Sequence, residues 1–414
     1  LNKKLKILFS VNGFPAKSET FIVNHIVAAL DAGMEVVILA NHKQSLQETT
    51  QQDILLKYQL LDKVVVKKGM PKNKLVRVFT ALSLAFTSLK AFKFFTILLN
   101  PFKFGFSNFN MNAYYELYPL LNLNTFDVYH AHFGQNAIGI ALAKELGVIH
   151  SKLITTFHGY DAASEDVKSK RNLIMSYKYV FKHSNTITVN TPYLKEVLND
   201  LGFSGSIILP MSINTDFFKP DASYNKNLKS KTIHLISIGR LMAFKCHYLG
   251  IEAVKNLIEK GYNIKYHIVG TGPEYNNLTN IIKNYQLDDN IILEKNKSQE
   301  EIKELLLNSD IFLMTSNYDN YGRRETQGVV TIEAQACGIP VVAFASGGVP
   351  YTLINNKTGF LVDEMDIETY TNKLEELLND WALRKEFGKN ARQFVLDYYS
   401  NNACNKQLLE IYNN

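Results

Sequence analysis

Short apolar runs of four to six residues alternate along this chain with longer stretches whose apolar positions recur every three or four residues. That alternation predicts parallel strands covered by helices on both faces. The first unit is a strand at 6–11 (KILFSV), punctuated by Gly13 and Pro15. A helix follows, with Ser18 as its candidate cap and Ile22, Ile26, Ala29 and Leu30 on its apolar face. Gly33 closes it, and 35–40 (EVVILA) is the next strand. The pattern resumes with a strand at 127–132, a helix over 137–145, and strands at 153–157 and 186–189. Pro192 falls in the first turn of a further helix.

Near residue 220 the pattern restarts after a polar linker at 220–230. Strands are expected at 232–238, 264–269, 310–315, 341–344 and 359–362. Helices are expected over 248–259, from Glu274, after the Ser298/Glu301 capping box, and over 327–336. The prediction is α/β: two doubly wound, Rossmann-like domains facing each other across a cleft, with ligands at the carboxyl ends of the strands. The expected limits are 1–220, 221–390 and a C-terminal segment 391–414.

Composition agrees with two sizeable cores: 414 residues, 46% apolar and 20% charged. Three cysteines argue against a disulfide framework and fit a reducing compartment. The opening LNKKLKILFSVNG runs straight into a strand without a small-residue cleavage site, so no signal peptide is expected.

Charge changes the picture locally. Residues 1–220 hold 24 Lys+Arg against 15 Asp+Glu, and 221–414 hold 21 against 24. Between Lys63 and Tyr115 stand nine basic residues and no acidic one, among many Leu, Phe and Val. Its longest uncharged run, 78–89, is far short of the ~20 residues that span a bilayer. Such a segment either lies on an anionic membrane surface or forms a half-buried helix with solvated lysines. Its apolar character, without interleaved base-reading polar residues, argues against nucleic acid.

No GxGxxG follows an opening strand, and GxxxxGK[ST], zinc-type Cys/His spacing and Gly-x-Ser-x-Gly are all missing. This disfavours dehydrogenase, NTPase, metallohydrolase and serine-hydrolase chemistry. Polar residues at strand ends remain. His158, with Asp161 three residues on, follows one strand: it is either a donor to a substrate oxygen or a histidine satisfied by a loop carbonyl. Arg240 and Lys245 follow the first strand of the second half, where a guanidinium fork and an ammonium could clamp a diphosphate. Gly270-Thr271-Gly272-Pro273 is a tight strand-to-helix turn. Glu325 and Glu333 are eight apart, about 80° off a common face on one continuous helix. With Glu325 in a loop and Glu333 on a helix they could reach different parts of one ligand, with free amides at 328–330 between them. The alternative is a structural salt bridge from Glu333 to Arg323 or Arg324.

In order and spacing, FPAKSETFI (14–22), HAHFG (130–134), FHGYD (157–161), ISIGRL with Lys245, VGTGPE (269–274), ETQGVVTIEAQACGIPVV and SGGVP (346–350) resemble the family 4 retaining glycosyltransferases of GT-B fold. The resemblance covers essentially the whole chain, and its opening looks most like the branch that makes bacterial exopolysaccharides and capsules. It implies that the second domain binds a nucleotide-diphosphate sugar, as a UDP-sugar, and the first domain a glycan or lipid-linked glycan. Arg240 and Lys245 would neutralise the diphosphate, Glu333 would hold the ribose hydroxyls and Glu325 those of the transferred sugar. The amides of Gly328, Val329 and Val330 would add contacts, His158 would sit by the reacting centre, and Gly13 would let the first loop approach the donor. Gly270 and Gly272 belong to the same donor-binding set, and a C-terminal helix around 390–411 would cross back to brace the first domain. The resemblance implies no cofactor and no metal, and a cytoplasmic location. An acceptor at the inner membrane face gives weight to attachment through 71–106. The sequence departs from the family at Cys246, where glycine commonly follows the lysine, and at Gln327 and Tyr351. A GT-B phosphorylase or epimerase and a non-catalytic nucleotide-sugar-binding module are the alternatives.

Overall fold

The computed structural model describes residues 4–16, 19–100, 102, 110–123, 125–163, 166–221, 232–295 and 297–414, and in it the apolar runs pair into two all-parallel sheets. The first contains β1 (Lys6–Phe14), β2 (Glu35–Lys43), β3 (Val64–Val66), β4 (Val128–His132), β5 (Lys152–Phe157), β6 (Thr186–Val189) and β7 (Ile207–Ile208), in the order β3-β2-β1-β4-β5-β6-β7. The second contains β8 (Ile233–Ile238), β9 (Ile264–Val269), β10 (Ile291–Glu294), β11 (Ile311–Met314), β12 (Val341–Phe344) and β13 (Gly359–Val362), in the order β10-β9-β8-β11-β12-β13. Both are doubly wound: order reverses beside β1 and beside β8, which opens a crevice at each point.

Register places successive side chains on opposite faces. Ile7, opposite Val36 and Val128, packs with Phe9 and Val11 against Ile22 and Ile26 of the helix Thr20–Asp31. Leu8, opposite Val37 and Tyr129, faces the other way, towards Ile140 of the helix Gly134–Glu145. The second sheet divides likewise, with Leu235 and Tyr266 on one face and Ile236 and Phe312 on the other. Strands buried on both faces explain why the runs read as continuously apolar.

The expected Ser18 cap lies outside the described residues, as does most of the 220–230 linker. Glu19 stands at the N-cap of the first helix without a side-chain cap bond. The described approach to the linker is pinned by Arg392, whose guanidinium donates to the carbonyls of Thr215, Phe218 and Ala336.

Three differences from the sequence reading stand out. The helix Val167–His183 was not anticipated: it buries only Tyr177 and Val180, too few for an apolar stripe, and is set by an Asp166/Ser169 capping box. The expected single helix over 390–411 is two helices, Trp381–Tyr398 and Asn401–Asn413, broken where Ser400 caps the second. Only the second packs on the first sheet, with Leu408, Ile411 and Tyr412 completing the core around Phe9. The basic apolar segment forms β3 and the helices Lys74–Ala85 and Leu89–Leu98. These bury Ala81, Leu84, Phe94, Phe95 and Leu98 and leave their outward face exposed, which is the half-buried form of the segment. Among the described residues, no helix is long and apolar enough to cross a membrane.

Candidate active site between the two sheets

The segment Glu325-Thr326-Gln327 joins the two halves. Thr326 Oγ1 donates to the His158 carbonyl at 2.8 Å, and Thr191 Oγ1 donates to the Thr326 carbonyl at 2.7 Å. Gln327 is fully buried and pairs with the Met211 backbone in both directions: the Met211 amide donates to Oε1 at 2.9 Å, and Nε2 donates to the Met211 carbonyl at 3.0 Å. On the other side, the Gly348 amide donates to the Glu325 carbonyl at 2.8 Å. A Cβ on Gly348 would lie 1.8 Å from the Thr326 carbonyl oxygen, which explains the glycine there. The strand ends of the first sheet and the charged loop of the second are thereby fixed against each other.

Lys245 sits on a short turn after β8, and its ammonium is ion-paired with the Glu325 carboxylate. Burial pushes the Glu325 carboxyl up, but Lys245 and the amides of Gln327 and Thr326 outweigh it and hold it below the usual carboxylate range. Glu325 lies in the loop and Glu333 on the helix Val329–Ala336, as the second of the two sequence readings required. Gly328 caps that helix with φ 82°, and the amides of Val329 and Val330, in its first turn, have no intrahelical acceptor.

Glu333 is half-buried, and burial raises its carboxyl to about 8. The salt bridge offered as an alternative is not made: Arg323 pairs with Asp319, and Arg324 makes a two-pronged pair with Glu364. Among the described residues nothing bonds to the Glu333 carboxylate. Arg240 is exposed and has no partner among the described residues. Among the described residues, the second half therefore presents an unengaged guanidinium after β8, an unengaged carboxylate and first-turn amides on the helix Val329–Ala336, and the Lys245–Glu325 ion pair.

His158 is buried at the end of β5, packed between Phe21 and Phe133, with Nε2 3.0 Å from His132 Nδ1. Its partner is thus a second imidazole rather than a loop carbonyl, and its own Nδ1 has no partner. Asp161 holds the loop by accepting from the amides of Gly134, His158 and Gly159. Burial keeps both imidazoles neutral, well below the usual histidine value.

Two expected glycine roles take another form. Gly13 lies inside β1, opposite His42 and beside Gln44, rather than in a loop. Gly270 allows backbone approach, but to the Gly239 carbonyl: a Cβ would stand 1.8 Å from that oxygen. Gly272 likewise faces the Leu241 backbone, so this pair shapes the turn that carries Arg240. Cys246 has φ 45°, a conformation that favours glycine, which accounts for the residue type it replaces.

Residues that sequence reasoning missed include Thr326, Gln327, Thr191 and Glu19. The first three have ordinary polar side chains whose partners lie more than a hundred residues away, so spacing carried no signal. Glu19 precedes Phe21 and is held at about 7 by burial. The structure also brings His25 beside His130 and His132, with ring nitrogens within 4.8 Å of one another, although no metal-type spacing exists in the sequence. His130 already commits both nitrogens, to Tyr412 and Thr156, so two imidazoles remain and no carboxylate joins them. Two imidazoles are fewer than a protein metal site ordinarily supplies.

Comparison with known proteins bears on the second half of the chain. Residues 219–394 match the family described as Glycosyl transferases group 1. The chain carries a group 1 glycosyltransferase domain. It holds the crevice residues Arg240, Lys245, Glu325 and Glu333. A Salmonella typhimurium protein named for colanic acid biosynthesis, WcaL, is 28% identical over 410 residues, covering 98% of this chain and 99% of that one. The amylovoran biosynthesis glycosyltransferase AmsK of Erwinia amylovora is 27% identical over 416 residues, covering 98% and 99%. The structure of Anabaena HepE with UDP superposes with a TM-score of 0.75 at 16% identity, covering 99% of each chain, so the glycosyltransferase domain sits within a full GT-B fold.

Proposed function

We propose that this chain is a retaining glycosyltransferase acting without a metal. It transfers a sugar from a nucleotide-diphosphate sugar, a UDP-sugar, to a glycan or lipid-linked glycan in bacterial surface polysaccharide synthesis. The observation that carries the reading is the crevice set of Arg240, the Lys245–Glu325 pair and unpaired Glu333 beside the amides of Val329 and Val330. An anionic diphosphate with a hydroxyl-rich group at each end supplies what each member lacks. The diphosphate draws Lys245 and Arg240; Glu325, released from Lys245, accepts from sugar hydroxyls; Glu333 accepts from the ribose. UDP in the HepE structure and the polysaccharide names of WcaL and AmsK support the donor and the pathway class.

In this reading residues 221–390 hold the donor, 1–220 hold the acceptor, and 391–414 brace the first domain. His158 faces the reacting centre, Gly270, Gly272 and Gly328 shape the turns of the second half, and Gly13 leaves the end of β1 free for donor approach. Attack occurs on the face the phosphate leaves, and the leaving phosphate takes the acceptor proton, so positive charge beside the diphosphate matters more than a protein nucleophile. The chain works at the cytoplasmic face of the membrane.

Calorimetry across a panel of nucleotide sugars in EDTA, with nucleotide release and the anomeric configuration of the product read by NMR, tests this. Selective UDP-sugar binding with retained configuration supports it; inversion, strict metal dependence or failure to bind any nucleotide sugar overturns the corresponding element.

A further inference from the structure

We propose that the outward face of the helices Lys74–Ala85 and Leu89–Leu98 docks on an anionic lipid bilayer by inserting apolar side chains among the headgroups. This deepens the membrane location given above by naming the surface, and it rests on that reading only for the lipid nature of the acceptor.

The two helices present inward and outward faces that are both apolar. Inward, Ala81, Leu84, Phe94 and Phe95 are buried in the core of the first half. Outward, Leu75 is 71% exposed, Phe79 71%, Phe86 73% and Leu89 91%. Leu75, Phe79 and Phe86 fall at helical spacing on one stripe, and the Phe86 ring meets that of Phe92, 5.5 Å between centroids, so the two helices form one continuous apolar ridge. A soluble surface rarely gathers several large side chains this exposed on one contiguous patch.

Charge selects the occupant. Lys68, Lys72, Lys74 and Lys93 are exposed around the ridge, and none has a carboxylate partner among the described residues. Three other basic groups of the segment are engaged internally: Arg77 donates to the Pro71, Lys72 and Asn110 carbonyls, Lys90 to the Leu121 carbonyl at 2.8 Å, and Lys67 pairs with Glu116. The four exposed lysines, with no acidic residue between Lys63 and Tyr115, match an anionic headgroup layer. A second copy of the chain is disfavoured, since a two-fold contact would bring these lysines against their own equivalents. The helices have 12 and 10 residues, about 18 Å and 15 Å long, suited to lying in the interface and not to crossing it.

The test is flotation of the full chain with phosphatidylcholine vesicles, with and without about one third phosphatidylglycerol, at low and high salt. Two variants accompany it: Phe79→Ser/Phe86→Ser/Leu89→Ser and Lys72→Glu/Lys74→Glu/Lys93→Glu. All six side chains are exposed, and circular dichroism checks the fold. The expected result is flotation with anionic vesicles, about tenfold weaker on neutral ones, and at least tenfold loss in each variant. Wild-type protein that stays in the bottom fraction, or variants that float as wild type does, overturns the proposal. So does a wild-type dimer in sedimentation that the apolar variant converts to a monomer without any vesicle effect. Nucleotide-sugar calorimetry on the same samples keeps the readings apart: equal binding by variants and wild type leaves the donor site intact whatever the vesicles show.

Discussion

Thr326 and His158, 168 residues apart in sequence, are joined by a 2.8 Å hydrogen bond from the threonine hydroxyl to the histidine carbonyl. This bond ties the residue beside Glu325 to the loop that presents the buried imidazole. Thr326→Val keeps the shape and removes the donor, at a cost of about 1 kcal/mol. The expected outcome is a several-fold fall in kcat with donor affinity, read by calorimetry, unchanged. An unchanged kcat removes the positioning role.

Arg240→Ala deletes an exposed side chain that holds nothing else among the described residues. Thermal stability should stay at the wild-type value. If positive charge acts mainly on the leaving phosphate, turnover should fall by a factor on the order of 10² to 10³, and donor affinity by much less. Equal losses in both refute that division.

Glu333 gives a pH signature with a definite sign. Its carboxyl is about 8 in the folded chain against 4.5 as a free group, so the folded state holds the proton more tightly. Stability then falls as pH rises from the free value through about 8. Glu333→Gln should therefore melt above wild type at pH 8, with the gap closing towards pH 5. A ribose hydroxyl donating to an ionised Glu333 adds a second expectation: wild-type donor affinity should rise between pH 6.5 and 8.5 while that of the variant stays level. A flat wild-type profile would sink the ribose role.

Gln327→Leu leaves the buried amide and carbonyl of Met211 without the partners they have now. Each unsatisfied group costs about 1–3 kcal/mol, so urea unfolding should show a loss of a few kcal/mol. Gln327→Glu, which accepts but cannot donate when ionised, should fall between the two. A Leu variant as stable as wild type would show that this joint carries no load.

The fold was legible because β1, β11 and β12 are buried on both faces along most of their length, which leaves continuous apolar runs. The helix Val167–His183 was not, because most of its surface faces water and its lysines mask a small apolar contact. The break at Ser400 was also hidden: Ser400 accepts from the Ala403 amide and pairs in an isolated bridge with Ile213 in the segment between the two sheets, a partner that sequence cannot supply. In the site, Arg240, Lys245, Glu325 and Glu333 stood out because charge at strand ends is uncommon inside apolar surroundings. The direct pairing of Lys245 with Glu325, 80 residues away, needed the fold. Thr326 was invisible, and Gln327 showed only as a departure from the family, because their work is done on backbone groups of the other half.

The Tyr412 hydroxyl, 2.7 Å from His130 Nδ1, belongs to a helix made after the entire second sheet. During synthesis the first seven strands therefore leave the ribosome with an open groove over Phe9 and His130, filled only when Leu408, Ile411 and Tyr412 arrive. The first half cannot finish before the second has been made, so the two halves mature together rather than in succession. A stalled or prematurely terminated chain would expose that groove and become a substrate for chaperones or proteases.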